Sequence, residues 1–199
     1  MRQVTTTLYK YEELTEEAKA AAIDNYKNKC SDAIYEDIEW SIQNDDLWLE
    51  KLADYGLTYS GWDHMYHDDR GNAGFGGLDI EDTKKLANSL GLDKRSKTYK
   101  LIANQNIRFS FNTGRDLNNI QDVEYEEYDL TTEEFEALTD EVRTKLDQAA
   151  ETVKSIIEDL EAELAKYCQA EEEYGFSDEA IIERFDMSEF EFEEDGTIA

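Results

Sequence analysis

From Phe135 to Tyr167 apolar residues recur at intervals of three and four: Phe135, Leu138, Val142, Leu146, Ala149, Val153, Ile156, Leu160, Leu164 and Tyr167. No glycine interrupts the run before Gly175, and the chain contains no proline at all. This spacing predicts one amphipathic helix running to about residue 173. Thr131 and Glu134 match a capping box at its start, with Leu130 and Phe135 placed as a hydrophobic staple. At 1.5 Å per residue such a helix is roughly 60 Å long, about twice the ~30 Å span of a small domain. One end is therefore expected to project or to find a partner, a second copy in a coiled-coil dimer being one candidate.

Shorter elements are expected around it. Residues 4–11 read as a strand, and Thr15 opens a helix to about residue 29 with Glu16 and Glu17 on its N-terminal dipole. A second helix is expected over 32–55, closed by Gly56. Residues 57–66 and 73–78 read as a hairpin about the turn-forming run 68–72, and 81–90 as a short helix ended by Gly91. Residues 99–102 and 107–111 suggest a second hairpin, since Ile107, Phe109 and Phe111 alternate with Arg108 and Ser110. Residues 123–130 add a strand, Ser177 caps a last helix, and Phe190 and Phe192 alternate with acids in a terminal strand. The class expected is α+β: a small antiparallel sheet packed with helices, one long acidic helix and a short acidic C-terminal helix and strand. An α+β core over 1–130 and an acidic segment over 131–199 are expected to form one folding unit.

Charge is distributed unevenly along this chain. Its last 80 residues hold 28 Asp and Glu against five Lys and Arg, whereas the first 119 hold 21 acids and 15 bases. Twelve Tyr, eight Phe and three Trp argue for a folded protein rather than a disordered acidic tail. At 100° per residue, Glu133, Asp140, Asp147, Glu151, Glu158 and Glu171 fall in one sector opposite the apolar seam. Arg143, Lys145, Lys154 and Lys166 lie outside it. Seven-residue steps separate these carboxylates by about 10 Å, sparse beside the one charge per ~1.7 Å of duplex DNA. The tail is expected to supply more, with Glu189, Glu191 and Glu193 in a row ~6.8 Å apart on a strand. Such a field repels nucleic acid and anionic membranes and attracts basic proteins.

Other constellations are weaker. Asp63, His64, His67, Asp68 and Asp69 could hold a metal, but His64 and His67 would face opposite sides of a strand. The glycines around Phe75 lack the Lys-Ser/Thr of a phosphate loop, so a tight hairpin explains them better. Cys30 and Cys168 imply no disulfide framework and no nearby histidine activates either. Neither a signal peptide nor a membrane span is evident. A cytoplasmic location, no cofactor and no enzymatic activity are the expectations.

Residues 8–26, LYKYEELTEEAKAAAIDNY, resemble the opening of a loose group of small phage-encoded proteins, in which a strand precedes a Glu-Leu-Ser/Thr-x-Glu-Ala-Lys helix. Gly71 to Leu78 and Phe192 to Gly196 are similar to that group's later Gly- and aromatic-rich segment and its Phe-x-x-Asp-Gly ending. The resemblance covers about a quarter of the chain and implies no catalytic residues. It implies a phage or mobile-element origin, a setting of acidic inhibitors of host defence nucleases (anti-CRISPR and anti-restriction proteins). The functional expectation is accordingly a stoichiometric DNA-mimic inhibitor that blocks the nucleic-acid channel of a Cas effector or restriction enzyme through the nine acids named above. A protein that binds by shape, and a metal-dependent hydrolase built on Asp63, His64 and His67, are the alternatives.

Overall fold

Short polar side chains set the helix starts. Thr15 Oγ1 accepts from the Ala18 amide at 3.2 Å, Ser96 Oγ from Tyr99 at 3.1 Å and Ser177 Oγ from Ala180 at 3.2 Å. Each satisfies a donor that the first helical turn leaves unpaired. These caps are seen in a computed structural model that describes residues 7–43, 45–64, 73–114 and 119–199. The fold is α+β, with one long helix and small antiparallel sheets.

The chain divides into two compact units, one made of Met1–Asn44 with Gln169–Ala199 and the other of Asp45–Cys168. The first holds α1 (Glu16–Lys29), α2 (Ser31–Gln43), the end of a long helix and α8 (Asp178–Met187). Its core is aromatic: Phe185 lies 5.3 Å from Tyr11, 5.3 Å from Tyr26 and 5.0 Å from Phe192, ring centre to ring centre. Such pairs add roughly 0.5–1.5 kcal/mol each beyond the area they bury. Gly196 has φ +86°, and a Cβ there would sit 2.2 Å from the Ala18 carbonyl oxygen, so the C-terminal tail lies directly on α1.

Two expected strands of this unit are reduced. Of the strand over 4–11, residues 4–6 lie outside the described residues; Tyr9 forms a single antiparallel bridge with Phe192, and Tyr11–Glu13 is a 3₁₀ turn. At the other end Glu189 has φ +53° and the Phe190 amide donates to the Phe185 carbonyl at 3.0 Å. Glu189 thus ends α8 rather than beginning a strand, and the extended pairing is confined to Phe192 with Tyr9 and Ile198.

The second unit packs α3 (Leu47–Ala53), α4 (Thr83–Ser89), α5 (Lys97–Ala103), α6 (Thr132–Glu136) and the body of α7 (Asp140–Gly175) with three two-stranded pairings. β1 (Leu57–Thr58) pairs with β4 (Asp79–Ile80), and β2 (Gly61–His64) with β3 (Ala73–Gly76). β5 (Ile107–Thr113) pairs antiparallel with β6 (Ile120–Glu127), Phe109 facing Tyr125 and Phe111 facing Val123. Trp48, Phe75, Phe109, Leu146 and Ile102 are among its fully buried side chains.

Three expectations change here. The helix over 32–55 is two helices, α2 and α3, because the Asp45 carboxylate accepts the Leu47 amide at 3.0 Å and starts a new one. Residues 99–102 are helical, capped by Ser96, so the partner of β5 is β6. The capping box at Thr131 and Glu134 is present but opens only α6. A second start follows at Thr139, whose Oγ1 accepts from the Val142 amide at 3.4 Å, while Arg143 donates to the Phe135 and Glu136 carbonyls at 2.6 and 3.3 Å.

α7 keeps its 36 residues unbroken, about 54 Å of helix. Val142, Leu146, Ala149, Val153, Ile157, Leu160, Leu164 and Cys168 are all buried within the single chain. The seam is therefore occupied by the chain's own packing.

A candidate acidic interface

Opposite that seam, Asp140, Asp147, Glu151 and Glu158 are exposed on α7. Three of the bases near them are engaged away from the file, while Lys154 stands within a helical turn of Glu151 and Glu158. Lys145 reaches back to Glu141 at 2.6 Å, Arg143 is spent on the end of α6, and Lys51 pairs with Glu163 on another face. Asp147 accepts the Tyr125 hydroxyl at 3.0 Å; burial above all, and then that bond, raise the tyrosine's pKa.

The remaining expected site residues are dispersed. Glu133 is exposed but sits on α6, beyond the break at 137–139, and so leaves the helical register of the others. Glu171 belongs to the first unit, half-buried in a groove of about 310 Å³ lined also by Ile38, Tyr174, Arg184 and Met187. Glu189, Glu191 and Glu193 are exposed in that unit too. The left-handed turn at Glu189 breaks their expected row, and Lys10 lies 3.7 Å from Glu191.

One carboxylate escaped sequence reasoning. Glu161 is only 6 % exposed, and its side chain accepts the Ile120 amide at 2.9 and 3.0 Å and the Phe75 amide at 3.4 Å. It ties α7 to β6 and β3 at once. Burial pushes its pKa up to about 7; the two amides pull the other way, and Glu158 adds to the rise. The signal was present in the sequence: Glu161 stands four residues after Ile157 and three before Leu164, inside the apolar seam.

Of the metal candidates, Asp63 and His64 lie on β2 opposite Gly74 and Ala73, while His67, Asp68 and Asp69 lie outside the described residues. Among the described residues no group of three or more His, Cys, Asp or Glu could hold a metal ion. Nor is any helix among them long and apolar enough to cross a membrane. Comparison with family models, curated proteins and solved structures found no match to this chain.

Proposed function

We propose that this chain is a stoichiometric inhibitor whose acidic surface occupies the basic nucleic-acid channel of a host defence nuclease. The observation that carries the reading is the exposed file of Asp140, Asp147, Glu151 and Glu158, beside which Lys145 and Arg143 are engaged elsewhere and Lys154 is a nearby base on the same helix. Carboxylates on a helix dock without the backbone having to be ordered, and their field steers encounter with a basic surface. The resemblance of the N-terminal region to phage-encoded proteins adds a setting, the cytoplasm of an infected host. Targets of the Cas and restriction types both present such a channel.

The test is a quadruple variant, Asp140→Lys, Asp147→Lys, Glu151→Lys and Glu158→Lys, titrated into cleavage assays with a Cas effector and a restriction endonuclease. Its fold is checked by circular dichroism. Inhibition is expected to weaken at least about tenfold in the folded variant, and the parent's inhibition to fall with rising salt and added duplex DNA. Undiminished inhibition by the folded variant would sink the mimic.

A second reading rests on Trp40, Tyr174 and Met187, which are 68, 50 and 77 % exposed in the first unit. A partner held by these side chains would bind by shape and resist salt, which separates the two readings in the same titration.

A further inference from the structure

The outer edge of β6 is occupied at one end and open at the other. In an antiparallel pair, opposed residues alternate between exchanging hydrogen bonds and pointing both amide and carbonyl away from the partner. The Tyr128 amide donates to the Asn106 carbonyl at 3.0 Å and that of Gly114 to Asn119 at 2.9 Å, which fixes the alternation at both ends. Ile120, Val123, Tyr125 and Glu127 consequently turn their amides off the outer edge. The chain's own carboxylates take the first two: Glu161 accepts from Ile120, and Asp122 from Val123 at 2.9 Å. Among the described residues β6 pairs with β5 alone, and an open groove of about 470 Å³ lies where Val123, Glu124 and Tyr125 face Asp147, Ala150 and Glu151 of α7.

A strand edge beside a helix suits an extended peptide, whose backbone adds to the sheet while alternate side chains enter the groove. Charge selects the occupant. A second copy would bring Asp122, Glu124, Glu126 and Glu127 against the same residues and be repelled. We infer that the β6–α7 groove takes an extended, Lys- or Arg-bearing segment of a partner protein as an added strand, its cations meeting Asp147 and Glu151. This rests on the reading of the chain as the binder of a basic protein and gives that partner a defined point of attachment.

The probe is a short end-capped peptide of alternating Lys and Val, labelled for fluorescence anisotropy and titrated with the intact protein. Two further peptides carry N-methyl groups, one on every Lys amide and the other on every Val amide, leaving charge unchanged. Alternate amides of a strand point the same way, so one methylated peptide should bind at least about tenfold more weakly than the parent and the other should not. Glu151→Lys should weaken parent-peptide binding while Glu194→Lys, the same charge change in the other unit, should not. Equal binding of both methylated peptides, equal loss in the two variants, or no binding of the parent would overturn the groove. Inhibition lost in the quadruple variant without any peptide binding would keep the inhibitor and remove the added strand. Peptide binding with the expected methylation pattern, in a protein that inhibits no nuclease, would keep the added strand and remove the inhibitor.

Discussion

Glu161 places a carboxylate where three amide contacts want an acceptor and the surroundings resist a charge. Its folded pKa of about 7 lies above the ordinary 4.5, so the folded state holds the proton more tightly than the unfolded chain does. Stability from that linkage is full below about pH 4.5 and is lost as pH rises through about 7. A shift of this size corresponds to about 3 kcal/mol. Many other acids titrate in the same range, so the comparison is with Glu161→Gln, which keeps an oxygen acceptor and cannot ionise. Urea unfolding of both proteins should show wild type losing stability relative to the variant by up to about 3 kcal/mol between pH 4.5 and pH 8. A difference that stays constant with pH would mean that Glu161 is already solvated. The residue was hard to find because the five acids from 151 to 163 look alike in a sequence. Only its place in the seam distinguishes it, and taking Ile156 for the seam in place of Ile157 hid that place.

At the scale of elements, the sequence was most legible where a side chain caps its own helix. Thr15, Thr131 with Glu134, and Ser177 act where the pattern placed them, because a cap is a contact over three residues. The alternation of Ile107, Phe109 and Phe111 likewise identified β5. What could not be read was set by distant contacts. The segment over 99–102 has strand-like side chains, yet buries Leu101 and Ile102 as a helix. The division between α6 and α7 depends on Arg143, which donates to two carbonyls at the end of α6 and stacks on Phe135 at 5.1 Å. Arg143→Ala should therefore loosen α6 while sparing α7, at a cost of about 1 kcal/mol since the contact is partly solvent-exposed. Hydrogen exchange is the measurement: faster exchange over Thr132–Glu136 with unchanged protection at the centre of α7 is expected. Equal exchange in both proteins would show that the two caps, not the arginine, end α6.

For the whole molecule, linear order misleads about where charge collects. The sequence concentrates acid after residue 119, but the first unit draws on both ends of the chain and carries 21 acids against six bases in 75 residues. The second has 28 acids and 14 bases in 124. Four of the first unit's bases already meet carboxylates, Lys19 with Glu16 at 3.0 Å, Lys27 with Asp178 at 2.7 Å, Arg184 with Asp37 at 3.2 Å and Lys10 with Glu191 at 3.7 Å. Most of the unit's acids are thus left to repel one another, a cost that ions in solution relieve. Raising salt from about 0.01 M to 0.15 M shortens the screening length from roughly 30 Å to 8 Å. If that recovers about 1 kcal/mol, the melting temperature should rise by ~2–4 °C. The same addition should weaken binding to a basic partner, because screening that stabilises the free acidic surface removes its attraction for the opposite charge. Calorimetry and binding measured across one salt series therefore test a single field twice. A melting temperature that stays flat while binding weakens would place the attraction in local pairs instead, with the groove beside β6 as the place to look.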